Sequence, residues 1–142
     1  HKTVLVPYSA SRMHVLVERV EDYPKFLPWC GGTEVTRHDD GSMTATIVID
    51  FKGIRQRFTT HNTGERDRLV CLDFREGPFT HLKGQWRFIP LRDDACKVEF
   101  DLEYQFAGGL LGRVLDPIFS HIARTFVDAF VRRAAQLYGT GE

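Results

Sequence analysis

A chain that hydrolyses, transfers or oxidises needs nucleophiles, acid–base pairs or metal ligands gathered in one place, so the residues able to supply them come first. Cys30, Cys71 and Cys96 stand far apart and make no C-x-x-C pair, which leaves neither a disulfide framework nor a zinc or redox motif. The histidines are as dispersed. His14, His61, His81 and His121 fall on different predicted elements, and none has metal-ligand spacing with a cysteine or carboxylate. Each is expected to be a lone solvated side chain. No catalytic residue, no metal ligand and no obligatory cofactor is assigned.

Charge narrows the partners. The 19 lysines and arginines balance 19 aspartates and glutamates, which argues against a broad basic face and against DNA as a partner. One local excess survives the averaging: Lys52, Arg55, Arg57, Arg66 and Arg68 outnumber Glu65 and Asp67, and a solvated surface is the default reading. No apolar run approaches the roughly 18 residues of a membrane span, and no charged-then-apolar signal pattern opens the chain. A cytoplasmic protein with one domain, residues 1–142, is expected.

What remains is neutral polar chemistry on an apolar wall, and the order of elements says where that wall lies. Residues 3–7 read as a short strand stopped by Pro7, and Ser9 as the cap of a short helix carrying Met13, Leu16, Val17 and Val20. A second short helix is expected to start at Asp22 and to be ended by Pro28. From about residue 33 to 106 the period is two, clearest where Val98, Phe100, Leu102, Tyr104 and Phe106 alternate with charged or polar neighbours. A two-residue turn at Lys52 and Gly53 sets Phe51 opposite Ile54, Ile49 opposite Gln56, Ile47 opposite Phe58 and Asp50 opposite Arg55. A turn of Arg92, Asp93 and Asp94 sets Phe88 opposite Val98, Trp86 opposite Phe100, Gly84 opposite Leu102 and Leu82 opposite Tyr104. On the wet face the same register puts Arg87 beside Glu99 and Lys83 beside Glu103. A middle strand turns Val70, Leu72 and Phe74 inward and is joined to both hairpins by loops at residues 62–67 and 76–80. The outcome is a curved antiparallel meander of about seven strands.

Residues 110–138 switch to helical spacing, with Leu111, Leu115, Ile118, Ile122 and Phe126 in one stripe and Phe119, Phe126, Phe130 and Leu137 in its neighbour. At 1.5 Å per residue this is a helix of roughly 40 Å, laid along the apolar face of the sheet in an α+β helix-grip arrangement. The inward polar groups on that face are neutral: Gln56, Thr60 and the Tyr104 hydroxyl either pair internally or await a ligand with a carbonyl or hydroxyl. Gly84 removes volume from the wall, as the close approach of a ligand or a β-bulge would require. The link Phe106-Ala107-Gly108-Gly109-Leu110-Leu111-Gly112 could gate a pocket, touch a membrane surface through Gly108 to Gly112, or form a plain turn.

The run Tyr23-Pro24-Lys25-Phe26-Leu27-Pro28-Trp29-Cys30, followed by Phe79-Thr80-His81-Leu82-Lys83-Gly84-Gln85-Trp86-Arg87-Phe88, resembles the coenzyme Q-binding family of START-like proteins, within the polyketide cyclase/dehydrase superfamily. The resemblance covers nearly the whole chain in element order. It implies a START-like helix-grip fold around a hydrophobic tunnel, and a non-enzymatic carrier of a polyprenyl quinone such as ubiquinone, serving respiration in the cytoplasm or at the periphery of the inner membrane. The same family includes ribosome-association toxin proteins, which bind the large ribosomal subunit, and the superfold also hosts cyclase and hydrolase enzymes. A quinone asks for an apolar tunnel and a few neutral donors. That points to Phe26, Leu27 and Trp29 near the tunnel mouth, to Phe51, Gln56, Leu72, Leu82, Trp86, Phe100 and Tyr104 on the sheet, and to Phe119, Ile122 and Phe126 on the helix. A ribosome binder asks instead for exposed cations, for which the surface from Lys52 to Arg68 is the candidate.

Overall fold

A computed structural model describes residues 1–139 of the chain. In order, the elements are β1 (Lys2–Val6), α1 (Ala10–Glu18), a 3-10 helix (Val20–Lys25), β2 (Cys30–Arg37), β3 (Met43–Phe51), β4 (Ile54–Glu65), β5 (Leu69–Glu76), β6 (Phe79–Arg92), β7 (Ala95–Phe106) and α2 (Leu110–Tyr138). All neighbouring strands pair antiparallel in one curved seven-stranded sheet, ordered β1-β7-β6-β5-β4-β3-β2.

Local chemistry explains the joints. Ser9 accepts a hydrogen bond from the Arg12 backbone N–H and so starts α1. Lys52 and Gly53 take positive φ, 51° and 81°, the left-handed pair that a two-residue hairpin between twisted strands needs. Every pairing expected from that turn is present, from Phe51 with Ile54 to Ile47 with Phe58. The β6–β7 register also matches, including Trp86 with Phe100 and Arg87 with Glu99. Its turn is tighter than expected: only residues 93–94 turn, because Arg92 pairs with Ala95 and Leu91 bulges out between Pro90 and Arg92.

Three further boundaries differ from the sequence reading. The second short helix begins at Val20 rather than Asp22 and is a 3-10 helix, with Pro24 inside it. β4 runs on through Glu65, so residues 62–65 are strand and the turn shrinks to 66–68. β6 begins at Phe79, which leaves residues 77–78 as the whole connection from β5. Gly84 marks neither a bulge nor ligand space, since its register is unbroken and a Cβ there would meet Leu72 Cδ1 at 3.1 Å and Leu102 Cδ1 at 3.4 Å.

The core lies between the concave face and α2. Trp86, Phe88, Phe130 and Val98 are at most 1% exposed. Leu115, Phe119, Ile122 and Phe130 are buried along α2, whereas Leu111 and Leu137 face outward, 45% and 50% exposed. Those two were expected in the buried stripe. No helix among the described residues is long and apolar enough to cross a membrane.

Candidate functional site

Strand alternation and helix periodicity aim one set of side chains at the same space. Trp29 arrives from the segment before β2, Ile47, Phe58, Leu72, Leu82, Trp86, Phe100 and Leu102 from the sheet, and Phe119, Ile122, Ala123 and Phe126 from α2; Val20 and Tyr23 close one side. The cavity they leave is about 60 Å³, room for roughly two waters. Aromatic packing accounts for that small figure. Trp86 lies 4.5 Å from Phe100, 5.1 Å from Phe130 and 5.6 Å from Phe126 between ring centroids. Phe119 fills the other end, 4.6 Å from Tyr104 and 5.1 Å from Phe79.

Two polar side chains interrupt this apolar wall. Thr60 and Asn62 are 3% and 8% exposed, and the Thr60 hydroxyl donates to Asn62 Oδ1 at 2.7 Å. The Asn62 amide nitrogen has only Met43 Sδ, at 4.0 Å, as a partner among the described residues. An amide carries two N–H donors and a thioether is a weak acceptor, so Asn62 keeps donor capacity for a guest.

A surface recess lies beside the cavity. Phe100, Leu102 and Ala123 also line a surface recess of about 420 Å³ between β7 and α2, shared with Tyr104, Arg124 and Lys2. Two polar contacts bridge the strands to α2 there: the Tyr104 and Ser120 hydroxyls at 3.0 Å, and Lys2 Nζ with Asp128 Oδ1 at 3.4 Å.

Of the residues expected at the site, Trp29, Leu72, Leu82, Trp86, Phe100, Phe119, Ile122 and Phe126 come together around the cavity. The others lie elsewhere. Tyr104 stands in the flanking recess, and Gln56 lines a separate, filled crevice with Ile49, Phe58, Phe79 and Ile118. Phe51 is half-buried and stacks on the exposed His121 at 5.9 Å. Leu27 is 1% exposed beneath an outer groove that Phe26 helps to line. Asn62 was missed because its neighbourhood reads as a loop by composition; continuing the alternation Gln56, Phe58, Thr60 by one step finds it.

Among the cavity-lining residues only Tyr23 titrates, and it is held neutral. Its hydroxyl donates to the Val17 carbonyl at 2.5 Å. Burial first, then the nearby Cys30 and Glu21, push its phenol far above the ordinary range. Burial also raises the Cys30 thiol and pushes Cys96 up to about 11, so neither thiol is a thiolate at neutral pH. His14 departs from the solvated expectation: it is 6% exposed, packs edge-on against Phe88 at 5.7 Å, and holds Nδ1 3.4 Å from Glu18 and 3.9 Å from Asp67.

Two sets of cations stand near the expected surfaces. On the hairpins, Arg55 pairs with Asp50 at 2.9 Å, Arg57 with Glu34 at 3.1 Å, and Arg68 with Glu65. Beside residues 23–30, a groove of about 330 Å³ holds Lys25, Arg132 and Arg133, with Leu27 and Ala129 at its floor.

With the geometry in view, the relatives can be compared. The family described as Polyketide cyclase / dehydrase and lipid transport matches residues 6–131. The chain is 40% identical over 138 residues to the ribosome association toxin RatA of Pseudomonas aeruginosa, a match spanning 97% of this chain and 96% of that one. It is 28% identical to the mitochondrial coenzyme Q-binding protein COQ10 homolog B of Xenopus laevis, across 95% of this chain and 57% of that protein. Among solved structures, an 18 kDa protein from Caulobacter crescentus matches with a TM-score of 0.73 at 32% identity, covering 97% and 96% of the two chains. The meander, the gripped helix and these matches agree: the chain belongs to the START-like polyketide cyclase/dehydrase and lipid transport family.

Proposed function

We propose that this protein is a non-enzymatic binding protein that associates with the ribosome, through the large subunit as the family resemblance implies. The observation that carries the reading is the 40% identity, along nearly the whole length of both chains, to a relative named as a ribosome association toxin. The interior supports it. A drug-sized ligand usually occupies some 300–1,000 Å³, whereas the aromatic wall leaves about 60 Å³, so function at the outer surface asks for no rearrangement of the core. Acid–base catalysis would need a paired acid and base in the cavity, and its lining offers one phenol held neutral. The test is sedimentation of the purified protein through a sucrose gradient with separated ribosomal subunits. Migration with the large subunit is expected; protein that stays at the top of the gradient at low salt overturns the reading.

A second reading, carriage of a hydrophobic molecule such as a polyprenyl quinone, is favoured by the spare Asn62 donor in an apolar cavity that a surface recess flanks. Loading would require Phe126 and Phe100 to part across the β7–α2 recess, and the first turn of the same helix offers Leu110 and Leu111, 77% and 45% exposed, for contact with a membrane surface. Organic extraction of the protein from its native host, followed by mass spectrometry, decides it: near-stoichiometric quinone supports carriage, and background lipid alone rejects it. Asn62→Leu keeps the branched outline of the side chain and removes the donor, so unchanged affinity for an added quinone would reject Asn62 as the head-group contact.

A further inference from the structure

We infer that the groove between residues 23–30 and the C-terminal half of α2 is the RNA-docking surface of this protein, with Lys25, Arg132 and Arg133 meeting backbone phosphates and the Arg133 guanidinium serving as a stacking platform for a base. The inference rests on the ribosome reading above and names the surface that would carry it.

Sequence and structure point to different cations. By composition the basic surface is the hairpin cluster of Lys52, Arg55, Arg57, Arg66 and Arg68, in which the three guanidiniums of Arg55, Arg57 and Arg68 each already face a carboxylate, while Lys52 lies over the Phe51 ring and Arg66 faces no carboxylate within 4 Å among the described residues. A cation neutralised at about 3 Å projects little field beyond a Debye length, roughly 8–10 Å at physiological salt. The groove is arranged otherwise. Lys25 and Arg19 share a single carboxylate, Asp22, at 3.2 and 3.9 Å. Arg132 and Arg133 face no carboxylate within 4 Å among the described residues; Arg133 instead donates to Gln136 Oε1 at 3.4 Å. Cations without carboxylate partners are the ones that can exchange counterions for phosphates.

Geometry then separates RNA from a merely acidic partner. The Phe26 ring is fixed edge-on by Tyr23 at 5.9 Å and by Phe130 at 5.1 Å. Arg133 lies over that ring, its guanidinium carbon 5.4 Å from the centroid, which sets the cation on the groove wall beside Lys25 and Arg132. Unpaired bases in RNA loops are recognised in this way, stacked on aromatic rings or on arginine planes while neighbouring cations take the phosphates. The floor of Leu27 and Ala129, 1% and 6% exposed, is apolar, which suits the face of a base better than a carboxylate. The run of residues 23–30 thus works on both sides: Tyr23 and Trp29 wall the cavity, and Lys25 and Phe26 wall the groove.

The test compares the triple variant Lys25→Gln/Arg132→Gln/Arg133→Gln with the hairpin variant Arg55→Gln/Arg57→Gln and with the single variant Arg132→Gln, which removes an exposed charge and no packing. Two readouts are taken on folded protein: sedimentation with large ribosomal subunits, and anisotropy of a short labelled oligouridylate across a salt series. Three phosphate contacts at a slope of about 0.7 each predict that the triple variant loses about two units of salt dependence and roughly a hundred-fold in affinity near 0.1 M salt. The hairpin variant is expected to match wild type in both readouts, and Arg132→Gln to lose about a third of the slope change. A triple variant that binds oligouridylate like wild type overturns the inference, and if it also fails to sediment, the groove's partner is a ribosomal protein. Wild type that binds oligouridylate through the groove but does not sediment supports the surface and overturns the ribosome reading. Loss of binding in the hairpin variant alone moves the docking surface to the hairpins.

Discussion

Tyr23, Leu27 and Trp29 are 4%, 1% and 6% exposed, whereas Lys25, from the same short run, is exposed beside α2 and Phe26 is half-buried under Arg133. The inward side is fixed by packing, since Tyr23 touches Phe130 and Trp29 touches Phe126, at 5.2 and 6.2 Å between ring centroids. The outward side has no such constraint. The contrast teaches that one motif can hold the fold with some residues and present a surface with others. Stability and recognition should therefore separate cleanly by mutation. The largest effect belongs inside: Trp29→Ala should cost about 3–5 kcal/mol and lower Tm by roughly ten degrees or more. Scanning calorimetry checks it, and a Tm within two degrees of wild type would erase the contrast.

Tyr23→Phe sharpens the same comparison with a smaller cost. It removes one hydroxyl and leaves the buried Val17 carbonyl unpaired, about 1–3 kcal/mol. The alkaline limb of the stability curve carries the second signature. Burial, before the charges of Cys30 and Glu21, raises the folded-state phenol above its ordinary 10.0. A raised acid favours the folded state while neutral, so its contribution is full below pH 10 and is lost as pH climbs beyond it. Cys96, raised by burial from 9.0 to about 11, acts the same way in the window between those values. Chemical denaturation from pH 8 to 11 should therefore show stability falling above about pH 9. In Tyr23→Phe the limb above pH 10 should flatten. An unchanged limb would mean that the phenol ionises in place.

How much of this was legible depends on whether local chemistry or tertiary packing decides each residue. The hairpin at Lys52 and Gly53 was legible because the turn's dihedral demand and the apolar alternation agree on one register. Residues 62–67 were not, because Asn, Thr, Gly and Asp read as turn formers. Gly64 is in fact a strand residue lying so close to β5 that a Cβ would sit 2.0 Å from the Leu69 carbonyl oxygen. That misreading hid Asn62, the polar group with the most to offer a ligand. His14 was misread for a different reason: its burial comes from Phe88, seventy-odd residues away, and no local period encodes that contact. The cations were legible in part: the hairpin register already sets Asp50 against Arg55, but counting along the chain cannot see that Glu34 reaches Arg57 across the sheet.

The outer side of the motif should respond least, and it is where the comparison can break. Arg133→Gln gives up the contact with Phe26 and should cost about 0.5–1 kcal/mol, the range for an exposed cation–π pair. Lys25→Gln gives up only an exposed pair with Asp22 and Arg132→Gln an exposed charge, and surface substitutions of that kind usually leave stability within half a kcal/mol. Their Tm should stay within about two degrees of wild type. A drop of five degrees or more in Arg132→Gln would show that α2 depends on this cation for its own docking. Loss of binding in that variant could then follow from a displaced helix instead of a lost phosphate contact. The order Trp29, Tyr23, Arg133, Arg132 is thus itself the measurement, because only a monotonic fall in Tm effect from wall to surface lets the groove variants report on recognition alone.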